Sequence, residues 1–243
     1  MITQFQRLLL GMMTLTVMAH AAVIGNWNGS SRSWNNGDMA TLKSTLTGAG
    51  HTILPDGAIS AATLSAMDVF VIGEAGAGPS GAELSDLGAW VSGGGVLLVF
   101  FDSSCSGCTG GNAVLSGLGT GMSASGSASG TTLLGGNFAT EGPPYNLVGS
   151  ALATTPGTAI SGGTSLAGSY LQYAVLGSGY VFAFGDRSDH NFFNPTASNV
   201  NGQLFLNIAG GAGGGGEIPE PSAAVLVAGG LAAVALLRRR ASC

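Results

Sequence analysis

Apolar residues fall along this chain in short continuous runs separated by stretches of helical spacing. Residues 22–27 predict a strand. Leu42, Leu46 and Ala49 recur every three or four positions, so a helix is expected from Asp38, as its N-cap, through Leu46, with Gly50 as the stop. Residues 51–54 predict a second strand and residues 61–66 a short helix. The run Asp68-Val69-Phe70-Val71-Ile72-Gly73 has the unbroken apolar centre of a strand buried on both faces. Pro79, Ser80 and Glu83 open a helix with Leu84, Leu87 and Val91 on one face, closed by Gly93-Gly94-Gly95. Residues 96–101 repeat the buried-strand pattern. Strand, helix, strand at this spacing is the βαβ unit, and it predicts a doubly wound, mostly parallel α/β sheet of flavodoxin-like type.

Past Asp102 the pattern weakens. Residues 116–136 are mainly Gly, Ser and Thr, which reads as loop or short irregular hairpins. Residues 170–176 and 180–184 predict a hairpin around Gly177-Ser178-Gly179, and residues 200–208 a closing helix with Leu204, Phe205 and Ile208 on one face.

The two ends carry a different message. Arg7 precedes an apolar stretch from Leu8 to Met18, and Ala19-His20-Ala21 follows, the layout of a secretory signal peptide over residues 1–22. At the other end a glycine-rich linker (residues 211–217) leads to Pro219-Glu220-Pro221. An uncharged stretch over 222–237 follows, and then Arg238-Arg239-Arg240. That stretch makes about 24 Å of helix, near the thickness of a bilayer core once arginines snorkel. The cations set its orientation, with the body outside and the tail inside.

Residues 218–243 resemble the PEP-CTERM sorting signal, which joins a Pro-Glu-Pro motif, a transmembrane helix and a terminal arginine cluster in that order. The resemblance implies that an exosortase of a Gram-negative bacterium recognises and cleaves the tail at the inner membrane. It also implies a mature protein at the cell surface or in an exopolysaccharide-rich extracellular matrix. What remains, residues 23–210, fits one domain.

Composition agrees with an exported chain more than with an ordinary cytosolic enzyme: 43 of 243 residues are Gly and only 8% are charged. Hydrophobic content of 45% and a mean hydropathy of +0.41 exclude a charge-rich disordered chain. The body holds ten carboxylates against three basic side chains, Arg32, Lys43 and Arg187. Such a surface repels phosphate backbones, so nucleic acid is not an expected partner.

The body also resembles the class I glutamine amidotransferase-like superfamily, particularly its trehalose-utilisation-like branch. Residues 68–78 look like the strand and glycine loop that supplies an oxyanion-hole amide there. Residues 95–102 look like the strand ending in the nucleophile elbow, and residues 179–193 like the late strand and loop. An active member needs a Cys at that elbow. Phe101 and Asp102 occupy it here, and Cys105 comes three residues later.

Three sets of residues carry candidate chemistry. Cys105-Ser106-Gly107-Cys108 has the spacing of a redox pair or zinc half-site; in an oxidising compartment a local disulfide is expected. Asp186, Asp189 and His190 follow a strand where open α/β sheets place ligands, and they could hold a divalent metal with Asp102 or Glu74. The competing reading is a solvated loop whose carboxylates cap amides and pair with Arg187. His51, at the start of a strand, is expected to be structural; Trp27, Trp34 and Trp90 are expected as core or loop anchors, with Trp34, beside Asn35 and Asn36, the one to test for stacking on a sugar. The resulting expectation is a non-catalytic binding domain with no cofactor. The alternatives are an extracellular metal-dependent or sugar-active hydrolase and a thiol oxidoreductase.

Overall fold

The computed structural model describes residues 21–34, 37–105, 108–186 and 196–212. The expected signal peptide up to residue 20 and, beyond residue 212, the expected linker, transmembrane helix and sorting motif lie outside them. No helix among the described residues is long and apolar enough to cross a membrane.

Chain order is β1 (Val23–Asn26), α1 (Ala40–Gly48), β2 (Thr52–Ile53), α2 (Ala61–Leu64), β3 (Val69–Gly73), α3 (Gly81–Ser92) and β4 (Val96–Phe100). Then come α4 (Cys108–Gly117), β5 (Ser123–Ser127), α5 (Phe138–Glu141), β6 (Thr158–Ser161), β7 (Thr164–Ala167), β8 (Leu171–Leu176), β9 (Gly179–Phe184) and α6 (Val200–Gly211). Among the described residues, seven strands form one mixed sheet in the order β2-β1-β3-β4-β9-β8-β7. The first five are parallel; β8 and β7 add antiparallel to β9, β7 with a register irregularity between Ser165 and Ala167. β5 and β6 make a separate antiparallel pair.

The unbroken apolar runs have a direct cause in this arrangement. Val69 and Val71 of β3, Val96, Leu98 and Phe100 of β4, and Phe182 and Phe184 of β9 pack into one layer with α1, α5 and α6. The residues between them, Phe70 and Ile72, Leu97 and Val99, Val181 and Ala183, pack into the other with α2, α3 and α4. With helices on both faces, successive residues are buried in turn, and each large side chain contributes about 1.5–3 kcal/mol. Phe100 stacks on Phe184 at 4.6 Å, and both meet Phe205 of α6.

Helix ends follow the sequence signals with one exception. Ser80 and Glu83 form a complete capping box at α3. Gly50 ends α1 at φ +93°, a conformation that suits glycine. The expected cap at Asp38 is corrected. The chain enters α1 through a 3-10 turn over Gly37–Met39, so Met39 holds the cap position without a side-chain bond.

Residues 116–136 also need correction. Ser116 and Gly117 close α4, and β5 pairs with β6, more than thirty residues away, rather than with a local neighbour. α4 itself contains Gly110 and Gly111, which weaken any helical signal. Both are required by packing: a Cβ at Gly110 would stand 2.4 Å from the Ala75 carbonyl oxygen, and one at Gly111 2.3 Å from the Phe101 ring. The closing helix runs to Gly211, one residue into the expected linker.

Candidate functional site

Strand order reverses between β1 and β3, and open α/β sheets bind ligands outside the strand ends at that point. Here the loop that follows β1 occupies the crevice. Arg32 N donates to Gly73 O (3.2 Å), Ser31 N to Glu74 O (3.4 Å), and the Ser30 hydroxyl accepts from Gly73 N (3.0 Å). Gly73 is needed for this approach, since a Cβ there would lie 2.9 Å from Arg32 Cβ.

A buried polar network holds the loop in place. Asn26, fully buried at the end of β1, donates from Nδ2 to Asp56 Oδ1 (3.0 Å), Arg32 O (3.0 Å) and Trp27 O (3.2 Å). Asp56 also accepts from the Ser33 hydroxyl and from Trp34 N (3.2 Å). Arg32 Nε pairs with Glu74 Oε2 at 2.7 Å. Glu74 is buried and holds φ +55°, a strained value for a residue with a side chain. Asn26 Oδ1 is buried with no hydrogen-bond partner among the described residues, which costs about 1–3 kcal/mol. The signal available in the sequence was Ser30-Ser31-Arg32-Ser33 shortly after a strand, of which only Arg32 was read, as one of three basic side chains.

Phe101 and Asp102 follow β4 at the position expected for an elbow. Phe101 is fully buried, and its amide donates to Phe184 O (2.9 Å). Cys105, at φ +60°, is joined by a disulfide to Cys108 at the start of α4. Its amide donates to the Thr158 hydroxyl (3.0 Å), which in turn donates to the Asp102 carbonyl. The staple thus sits between the end of β4 and the start of β6.

The proposed metal cluster is not assembled by the residues described. Asp186 is fully buried, and its carboxylate accepts from Thr155 N (2.7 Å) and the Thr155 hydroxyl (3.2 Å). Glu74 is paired with Arg32, and Asp102 Oδ1 accepts from Ser103 N (2.6 Å). Among the described residues no three His, Cys, Asp or Glu side chains gather as a metal site. Asp189 and His190 lie outside the described residues, as do Pro219, Glu220, Pro221 and Arg238, Arg239 and Arg240.

His51 is structural, accepting from Ala22 N at Nδ1 (3.1 Å). Trp34 is a core anchor, as its simpler reading has it, and not a sugar platform. It is 3% exposed and packed in the core beside Leu42 and Leu46 of α1, so it offers no ring face to a ligand.

No family model matches the chain, and no curated protein matches it. Solved structures resemble it at low identity. One is described as the mmIFT52 N-terminal domain, with TM-score 0.56 and 13% identity, covering 76% of this chain and 94% of that one. A β-galactosidase from Rahnella sp. R3 gives TM-score 0.52 and 15% identity; the match covers 79% of this chain and 31% of the galactosidase. A cytoplasmic protein from Salmonella typhimurium LT2 gives TM-score 0.50 and 13% identity, covering 77% of this chain and 97% of that one. At these identities the shared property is the fold, an α/β layer structure.

Proposed function

We propose that this chain is an exported surface or matrix protein, sorted and cleaved through its C-terminal signal, whose α/β domain binds or displays rather than catalyses. The observation that carries the sorting is the ordered tripartite tail: Pro219-Glu220-Pro221, sixteen uncharged residues over 222–237, and Arg238-Arg239-Arg240. Its recognising partner is an exosortase at the inner membrane of a Gram-negative bacterium. Prolines keep the cleavage segment extended, the apolar stretch holds it at the membrane, and the arginines set its direction.

The body supports the non-catalytic part of this reading. The elbow position of an amidotransferase-like sheet holds buried Phe101, the nearest thiol is in a disulfide, and the switch-point crevice is filled by the chain's own loop. The N-terminus fits export as well. Signal cleavage near Ala21 or Ala22 leaves β1 whole, with Val23 N donating to Asp68 Oδ2 (2.8 Å).

Mass spectrometry of the protein recovered from its native host tests the reading. The expected species begins within a residue of Val23 and lacks the segment after Pro221. Recovery of most molecules with an intact C-terminus at Cys243 overturns it.

A further inference from the structure

Away from the strand-end loops, the face of the sheet over β8 and β9 is incompletely covered. Leu171 and Phe184, opposite each other in register, are buried, as is Phe182, whereas Tyr173 opposite Phe182 and Tyr180 opposite Val175 are half-buried and Val175 is exposed. The result is an open groove of about 250 Å³ lined by Asn137, Phe138, Glu141, Tyr173, Val175 and Tyr180. The Tyr173 and Tyr180 rings lie 6.1 Å apart at 42°, a bent platform, and the edge of Phe138 braces Tyr180 at 5.0 Å.

The groove combines ring faces with unused polar atoms. Neither the Tyr173 nor the Tyr180 hydroxyl has a hydrogen-bond partner among the described residues, whereas Tyr170 donates to Thr155 O (2.9 Å). Glu141 spends one oxygen on Gly136 N (2.7 Å) and keeps the other. Asn137 is 7% exposed; its Oδ1 caps α5 through Ala139 N (2.9 Å), and its Nδ2 has no protein acceptor among the described residues. The exposed large apolar side chains Leu134, Val148 and Val175 belong to the same corner. Val175 lines the groove, Leu134 precedes Gly135-Gly136, and a Cβ at Gly135 would stand 3.7 Å from Val148.

We propose that this groove binds an uncharged glycan chain. A pyranose presents an apolar C–H face and an equatorial rim of hydroxyls, each both donor and acceptor. The tyrosine faces suit the first; the two phenol hydroxyls, the carboxylate oxygen and the amide NH₂ suit the second. The groove's charge selects against other ligands. Among the described residues its lining holds no Lys or Arg to attract a phosphate or uronate, and Glu141 in an acidic body repels both. The inference rests on the reading of the domain as a binding module and names its ligand class.

The test uses the full chain purified in a detergent without a sugar headgroup. Cellohexaose, laminarihexaose and mannohexaose serve as neutral probes and oligogalacturonate as the acidic one, with binding read by calorimetry and sedimentation read in parallel. At least one neutral hexasaccharide binds. Tyr173→Ala weakens it by about tenfold or more through loss of the stacking face, while Tyr173→Phe weakens it by less than about threefold. Val175→Lys, at an exposed position that leaves the core intact, also lowers affinity and guards against misfolding of the tyrosine variant. The proposal falls if no neutral probe binds, if the acidic probe binds as tightly, or if the groove variants bind like the parent. It also falls if sedimentation shows a dimer that Val175→Lys dissociates, because a second copy would then be the occupant. Tail processing in the host is a separate readout, so failure here is distinguishable from failure of the sorting reading.

Discussion

Arg32 Nε stands 2.7 Å from Glu74 Oε2, and this pair fastens the loop after β1 across the end of β3. The Glu74 side chain is 5% exposed and that of Arg32 21%, so removing the cation leaves a carboxylate with little water to compensate. Arg32→Ala is expected to lower stability by about 2 kcal/mol in urea denaturation. Adding Glu74→Gln to that variant recovers part of the loss. No recovery would show that the arginine acts through packing rather than charge.

Two glycines in helices test the packing account in opposite directions. Gly110→Ala drives a methyl into the Ala75 carbonyl oxygen and is expected to cost about 3 kcal/mol. Gly48→Ala in α1 meets open space and gains about 0.5–1 kcal/mol from helix propensity. Thermal unfolding of the two variants side by side measures the difference.

Much of the parallel sheet was legible because burial on both faces writes itself as an unbroken apolar run, as in β3 and β4. The hairpin of β8 and β9 was legible from its glycine turn. α4 was not, since the close approach of its first turn to Ala75 and Phe101 demands glycine where helical periodicity demands side chains. β5 was not, because its partner lies far along the chain and its own residues are small and polar. The candidate site was the least legible part. Asp186 reads as a ligand by type and position, and only the fold shows its carboxylate turned on Thr155. Tyr173 and Tyr180 carry no signal of exposure in the sequence, since nothing there tells which aromatic ring the helices leave uncovered.

Asp186 is expected to behave as a structural carboxylate. Asp186→Ala strands the Thr155 amide and hydroxyl in a buried setting and lowers stability by about 2–3 kcal/mol, while Asp186→Asn retains an acceptor and loses less. Denaturation with and without EDTA checks the point. Chelator-sensitive stability in the parent, abolished in Asp186→Ala, would assign the carboxylate to a metal instead.

The Cys105–Cys108 bridge closes a very short loop, so its entropic contribution is small, about 2 kcal/mol by loop-closure arithmetic. Replacing both cysteines with serine should lower the midpoint of thermal unfolding by roughly 4–8 °C for a chain of this size. A drop well beyond that range would mean that the bridge also fixes the end of β4 and its contact with Thr158.

For sorting, Pro219→Ala combined with Pro221→Ala is expected to leave an uncleaved, membrane-bound precursor, and neutral replacements of Arg238, Arg239 and Arg240 to disturb its retention. Fractionation of host cells followed by immunoblotting separates the two effects. Normal processing of the double proline variant would remove the motif from the mechanism.

The outer strands of the main sheet bear on how copies of this protein behave when crowded together. β2 offers two residues at one border, and β7 offers four with a break in register at the other. Neither border is long or regular enough to template a strand from a neighbouring molecule, while the most apolar strands, β3, β4 and β9, lie between other strands. Dense packing of many copies therefore leaves each sheet closed to its neighbours, and contact between molecules passes through side chains rather than through shared backbone ladders.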